Sequence, residues 1–431
     1  MRQLVNVAAM IFLLSLLFFS NQVVAYQSDG KSYRYMEVIR DSEIYALIGE
    51  HVIQVGAFKE GQNLKVVQDE EEESDYYEFS FGNGEGYIAK SNLKEIKKNA
   101  FPSDPFPILI NKSSQGLVIF KETKVYSTLE SDSKPIAVLM ADLRYPIQDK
   151  VQDIRHHIWY EINLGGRKGY IRAQDVEYDN GIPVLTYHHI LTDKENQRFL
   201  HTSTTTSLNA FRNQMDYLKQ SGYITISLYE LEGYLNGTIN LPAKVVALTF
   251  DDGLKSVYRY AYPILKKNEQ KATLFVISSR IKRHPQKWNP NNLQFLSINE
   301  LLSMQDIFDF QSHTHFLHRL SKNKKPILFK RSYRNILYDF ERSRRALSQF
   351  NPHVIYLSYP FGGYNMTAVK AAENAGFHLA VTTVQGKVKL GDNPFSLKRL
   401  YILRTDSIEK MGKIISNKSS DIPFSKIKSN M

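Results

Sequence analysis

The fold turns on one stretch, Val245-Val246-Ala247-Leu248-Thr249-Phe250-Asp251-Asp252-Gly253. Its first six residues are apolar apart from one threonine, the composition of a strand buried on both faces. Two adjacent carboxylates follow, then a glycine. Carboxylates side by side repel, so such a pair calls for a proton or a cation to neutralise it. Alone, Asp-Asp-Gly is equally an ordinary turn.

The sequence around it alternates short apolar runs with helical patterns. Val184–Tyr187 is a short apolar run, and Ser207 is placed to cap a helix carrying Leu208, Phe211, Met215 and Leu218 on one face. Val257–Leu265 has a helical composition but contains Pro263. Ala272–Ile277 and Phe308–Gln311 read as strands, Ser332–Phe350 as a long helix, His353–Tyr359 as a strand and Asn365–Ala375 as a helix closed by Gly376. Strands alternating with helices predict a parallel sheet, open or closed into a barrel, with ligands bound at the C-terminal ends of the strands.

Three further motifs fall at such ends. Ser312-His313-Thr314-His315-Phe316-Leu317-His318 packs three histidines into six residues. A carboxylate and two imidazoles would hold a divalent metal and leave positions open for water and substrate; surface histidines are the plain alternative. Tyr187-His188-His189 closes the first strand, and either histidine is structural or catalytic. Leu357-Ser358-Tyr359-Pro360-Phe361-Gly362-Gly363 is a strand running into a tight turn, hence a simple junction or a pocket wall. The pair His156-His157 reads as structural.

Together these motifs make residues 182–405 resemble the polysaccharide deacetylase family (NodB homology, carbohydrate esterase family 4). Thr-Phe-Asp-Asp-Gly matches its first motif, Ser-His-Thr with a later His its second, and Tyr-Pro-Phe-Gly resembles its third. The resemblance implies a distorted TIM-like (β/α) barrel that removes acetyl groups from N-acetylglucosamine polymers with one divalent metal ion. Zinc is the first expectation, and cobalt, nickel and manganese fit the same ligands. It further implies Asp251 as catalytic base, Asp252, His313 and His318 as metal ligands, and Tyr359, Pro360, Phe361 and Gly362 as substrate-binding residues. The Tyr359 backbone N–H would donate to the oxyanion.

Three departures from the family pattern stand out. The paired histidines are five apart rather than four, no arginine stands just before Tyr359-Pro360, and no histidine follows His378 to supply the usual late acid. All three resemble the branch of biofilm poly-N-acetylglucosamine deacetylases. In that branch a Tyr-His near the domain start supplies the acid, which here is His188, with His189 as fallback. Arg399 resembles a late arginine of these domains; it either orients Asp251 or makes an exposed ion pair.

The N-terminal half has a different texture. Tyr77-Glu78-Phe79, a glycine turn and Gly86-Tyr87-Ile88 recur as Tyr160-Glu161-Ile162, a glycine turn and Gly169-Tyr170-Ile171, the period-2 pattern of hairpins. This predicts a duplicated small all-β barrel whose hairpins resemble bacterial SH3-like domains. The expected order is a signal peptide over 1–25, SH3-like domains over 34–97 and 115–178, a linker over 98–114 punctuated by Pro102, Pro105 and Pro107, the deacetylase domain over 182–413 and a tail over 414–431. Arg2, the apolar run Ala8–Phe19 and Val23-Val24-Ala25 form the signal pattern. That pattern predicts a secreted, extracellular or wall-associated protein, membrane-associated only if the segment stays uncleaved. The acidic run Asp69–Glu73 reads as a solvated loop.

Composition narrows the classes further. The chain has 431 residues and no cysteine, which excludes disulfides, cysteine-bound zinc and thiol catalysis. A net charge of +11 favours anionic surroundings, yet no basic stripe with interleaved aromatics indicates nucleic acid. The expected partners are an N-acetylglucosamine polysaccharide and, through the SH3-like modules, a wall polymer. Competing readings are a non-catalytic wall- or glycan-binding protein, and a deacetylase acting on peptidoglycan or another acetylated sugar.

Overall fold

A computed structural model describes residues 32–417 apart from 49–50, 69–73, 102–114 and 131–132. The signal pattern, the acidic run, the three linker prolines and the end of the tail lie outside these residues. The chain divides into two compact units. One runs to Tyr178 and includes Asn236–Ala243; the other comprises Asp179–Leu235 and the chain from Lys244 on. Among the described residues, no helix is long and apolar enough to cross a membrane.

In the first unit the sequence repeat is visible as local structure. Strand Tyr76–Phe81 turns into Gly84–Ala89, followed by a 3-10 turn at Lys90–Asn92 and strand Leu93–Glu95; Ile158–Leu164, Arg167–Arg172, Ala173–Asp175 and Glu177–Tyr178 repeat that order. The second hairpin turns through Gly165 and Gly166, with φ of 64° and 75°, the left-handed pair that a two-residue hairpin needs. Each repeat has a three-stranded sheet of its own, and the remaining strands of both are joined in one larger sheet. Ala137–Leu139 pairs antiparallel with Gly56–Phe58 inside one nine-stranded sheet, and Phe58, Phe79, Leu139 and Leu164 share one apolar cluster. Apolar residues from both repeats thus cover each other in one core. Gly56 permits the crossing, since a Cβ there would lie 2.3 Å from the Val138 carbonyl oxygen.

The second unit is built on parallel strands, numbered here β1 (Val184–Tyr187), β2 (Val245–Phe250), β3 (Ala272–Val276), β4 (Phe308–Ser312), β5 (Tyr356–Ser358), β6 (Leu379–Gln385) and β7 (Leu397–Arg399). They hydrogen-bond in that order. Just past β7, Leu400 pairs in parallel with Leu185 of β1; its N–H donates to the Val184 carbonyl at 2.7 Å and its carbonyl accepts from Thr186 at 3.0 Å. The sheet is therefore closed into a barrel. All six residues of β2 are buried.

Helices cover the outside for reasons legible in the chain. Ser207 Oγ accepts the Ala210 N–H and caps the helix Leu208–Gln220, a contact worth about 1 kcal/mol. The helix buries Phe211, Gln214, Met215 and Leu218. Phe211 meets the rings of Tyr187 and Phe250 edge-on, and the Tyr187 hydroxyl donates to Gln214 Oε1 at 2.9 Å, which satisfies the oxygen of the buried amide. The region around Pro263 forms a π-type turn, Val257–Ala261, that runs into the helix Tyr262–Asn268 with proline in its first turn.

Candidate metal and catalytic site

The C-terminal ends of the barrel strands deliver the chemically interesting side chains. Asp251 and Asp252 follow β2, His188 follows β1, His313 follows β4, Tyr359 follows β5, and Arg399 ends β7. Strand pairing brings residues far apart in sequence to one rim. Three non-glycine residues there adopt positive φ: Asp252 at 73°, Thr314 at 68° and Phe361 at 55°. Backbone strain of this kind costs on the order of 1–3 kcal/mol per residue and gathers at functional sites.

Asp251 is 2% exposed. Its backbone N–H donates to the Tyr187 carbonyl at 2.9 Å, which ties the residue to β1. Arg399 donates to both carboxylate oxygens, Nη1 to Oδ1 at 2.8 Å and Nη2 to Oδ2 at 2.7 Å. Its remaining N–H groups reach the Thr382 carbonyl, Thr249 Oγ1 and Ser358 Oγ, so all five guanidinium donors have an acceptor. Ser358 in turn donates to Asp251 Oδ2 at 3.1 Å. Burial alone would raise the Asp251 pKa, but the Arg399 guanidinium outweighs it and holds the carboxyl well below its ordinary range; His313 and His188 act in the same direction. Because Arg399 has no solvent exposure, the exposed ion pair weighed from sequence does not occur.

Asp252 faces the two histidines. Its Oδ1 stands 3.6 Å from His313 Nε2 and 3.4 Å from His318 Nε2. His313 Nδ1 meets the Ser358 carbonyl at 2.8 Å, which places the proton on Nδ1 and the lone pair on Nε2. Burial pushes both imidazole pKa values down to about 4, so both rings are neutral and able to act as ligands. Asp252 Oδ1 is buried and, among the described residues, has no hydrogen-bond partner. Asp252, His313 and His318 each offer one ligand atom, all within 4.8 Å of one another. Ligands about 2.0–2.1 Å from a tetrahedral ion stand roughly 3.3 Å apart, so the spacing and the donor set fit a zinc-sized divalent cation. His315 turns away, with Nδ1 2.9 Å from Ser278 Oγ.

The two candidate acids separate cleanly. His188 Nε2 lies 3.8 Å from Asp251 Oδ2, and its ring stacks on Tyr401. His189 points the other way, into the protein: Nδ1 contacts Ser256 Oγ at 2.8 Å and the ring meets Phe199 edge-on. Burial lowers its pKa to about 4.

The Tyr359–Gly362 turn differs from expectation at one atom. The Tyr359 N–H expected to face an oxyanion instead donates to the Val381 carbonyl at 3.2 Å, because it continues the β5–β6 ladder. The Tyr359 ring is fully buried against Tyr364, and among the described residues its hydroxyl has no hydrogen-bond partner. Phe361 stacks on His318 with ring centroids 4.3 Å apart and lines a cavity of about 430 Å³ that opens on Asp252 and His318. Pro360 is buried in the same 3-10 turn, and Gly362, at φ 69°, lies against Thr383.

Sequence reasoning missed several supports. Thr249 and Ser358 stand inside the quoted motifs, so proximity was the available signal. Asp339 had none: from the helix Tyr333–Leu347 it accepts the N–H groups of His315 (2.8 Å) and Phe316 (2.7 Å) and shapes the histidine loop.

Residues 238–380 match the model of the polysaccharide deacetylase family. Over that stretch the barrel unit is similar to polysaccharide deacetylases. Over 235 residues the chain is 28% identical to the poly-beta-1,6-N-acetyl-D-glucosamine N-deacetylase of Staphylococcus aureus, an alignment covering 52% of this chain and 79% of the relative. Among solved structures, the deacetylase PplD of Streptococcus pyogenes in complex with acetate is 29% identical with a TM-score of 0.48, covering 55% of this chain and 99% of that one. IcaB from Ammonifex degensii is also 29% identical, with a TM-score of 0.46, covering 55% of this chain and 97% of the other. Asp251, Asp252, His313 and His318 lie within the matched residues, and Arg399 lies beyond them.

Proposed function

We propose that the chain is a metal-dependent N-deacetylase that hydrolyses the acetamido groups of N-acetylglucosamine units in a polysaccharide. One observation carries the reading: three acceptor atoms, of Asp252, His313 and His318, converge around an unpartnered carboxylate oxygen beside a second carboxylate fixed by Arg399. The relative named for poly-beta-1,6-N-acetyl-D-glucosamine supports a glucosamine polymer as substrate.

A divalent ion held by Asp252, His313 and His318 would polarise the acetamide carbonyl and lower the pKa of water at the site. Asp251, ionised and clamped at both oxygens, takes the proton of the water that attacks the carbonyl carbon. Arg399 acts through Asp251 by fixing its direction. The C–N bond then breaks, His188 gives a proton to the departing sugar nitrogen, and the products are acetate and the free amine. One water is consumed. With the Tyr359 N–H engaged in the ladder, a cation held by Asp252, His313 and His318 would supply the positive charge that stabilises the oxyanion.

Retention of all three ligand residues favours a working enzyme over a binding-only barrel. Export is part of the proposal, supported by Arg2, Ala8–Phe19 and Val23-Val24-Ala25. So is docking of the repeated β unit on a wall polymer, supported by the resemblance of its two hairpins to bacterial SH3-like domains. The test is acetate release from a soluble β-1,6-linked N-acetylglucosamine oligomer by metal-loaded and metal-stripped protein. Metal-dependent release is expected; no release from folded, metal-loaded protein would overturn the assignment to this substrate.

A further inference from the structure

Two cavities of the deacetylase domain meet at Arg319. The first is the one above the metal ligands, where Arg280 and Phe295 form part of the wall. The second, about 220 Å³, lies on the outer side of the histidine loop against the helix Tyr333–Leu347. Arg319, Arg331 and Arg342 line it together with Phe316 and Tyr338. Phe316 and Tyr338 are 45% and 60% exposed, and the guanidinium groups of Arg319 and Arg342 lie over the Phe316 ring at 5.6 and 5.1 Å from its centroid.

The charges of this second cavity are poorly balanced. Among the described residues, Arg319 and Arg331 have no carboxylate within ion-pair distance. The one acid in the lining, Asp339, is buried and accepts the backbone N–H groups of His315 and Phe316; it offsets Arg342 in part. Clustered like charges repel in the free protein, and an arriving anion relieves that repulsion. Planar guanidinium forks match carboxylate and phosphate oxygens, and an exposed aromatic face suits the apolar face of a sugar ring. A neutral glycan draws on only the second of these features.

We infer that the second cavity receives an anionic substituent of the polysaccharide, a carboxylate or a phosphodiester borne on a sugar near the acetamide being hydrolysed. This rests on the N-deacetylase reading and narrows its substrate class to charged glycans, with Arg319 joining the two cavities.

Three β-1,6-linked N-acetylglucosamine oligomers of equal length test it: one neutral, one carrying succinyl half-esters and one carrying glycerol phosphodiesters. Binding to the full chain is measured by calorimetry, which needs no turnover, beside acetate release. At low salt at least one charged oligomer is expected to bind about tenfold tighter than the neutral one, a preference that shrinks as salt screens it. Arg331 and Arg342 are exposed, so Arg331→Gln with Arg342→Gln should fold normally; the double change should erase most of the charged-to-neutral ratio, and the corresponding lysine pair should keep part of it. The winning oligomer tells carboxylate from phosphodiester. Equal binding of all three, or a preference that survives the double replacement, overturns the inference. Charge-selective binding without acetate release would sink the deacetylase reading and leave the anion site standing; release without selectivity would do the reverse.

Discussion

Arg399 grips both carboxylate oxygens of Asp251, at 2.8 and 2.7 Å, where neither side chain is more than 3% exposed. A buried pair of this kind is poor evidence for stability in itself, because two charges have been taken out of water. Removing one partner is another matter, since it strands the other. Asp251→Asn should keep the metal, lower turnover by about 10²–10⁴-fold as expected for a missing general base, and destabilise the fold by about 3–5 kcal/mol as the guanidinium loses its counter-charge. Metal content, acetate release and denaturant unfolding read the three effects separately. Near-native turnover would remove Asp251 from the base role.

The three converging acceptors predict a stability change that requires no substrate. Zinc at a hundredfold excess over its dissociation constant should stabilise the native chain by about 2.7 kcal/mol. Asp252→Ala and His318→Ala should abolish both that gain and the chelator-sensitive acetate release. A thermal shift with zinc that persists in Asp252→Ala would place the ion elsewhere.

His188 and His189 are neighbours in sequence with opposite surroundings, so their replacements should fail differently. His188→Ala should leave the melting temperature nearly unchanged and cut turnover by at least about tenfold. His189→Ala should instead open a hole beside Ser256 and Phe199 and lower stability, with turnover per folded molecule largely kept. The opposite ranking in turnover would move the acid to His189.

The buried His189 also gives the fold a pH dependence whose sign can be stated. Its pKa, lowered by burial to about 4, lies below that of an exposed histidine, so the unfolded chain binds the proton more readily. The stabilisation is complete above about pH 6.5 and is lost as the pH falls toward 4, up to about 3 kcal/mol in all. Urea midpoints across this range should fall more steeply in the native chain than in His189→Gln. Parallel curves would show that another group dominates the acid response.

What could be read from sequence was whatever is contiguous along it. Asp251-Asp252, the His313–His318 cluster and the turn at Tyr359 are each short segments at a strand end, and the helix caps at Ser207 and Asn365 are local devices. Arg399 was harder to read. In Leu397-Lys398-Arg399-Leu400 an arginine resembles any charge beside an apolar run, and only barrel closure brings β7 beside β1 and so toward Asp251. In the N-terminal half the repeated hairpins were legible and the pairing between them was not: period-2 alternation says which face of a strand is buried but not what covers it. The occupied Tyr359 N–H was likewise set by the pairing of β5 with β6, which the motif does not encode.

The segment Asn236–Ala243 gives the chain an unusual architecture for exchange. It lies between two parts of the barrel unit in sequence, yet Asn240 accepts the Asn83 N–H at 2.9 Å and donates to the Phe81 carbonyl at 3.0 Å within the first unit. A cut after Tyr178 would therefore not release a self-sufficient catalytic module; it would leave a loop stripped of the hairpin that receives it. Recombination at that point should be penalised, so the two units are expected to be inherited together, with the barrel acquired only alongside its β partner or after the loop has been rebuilt.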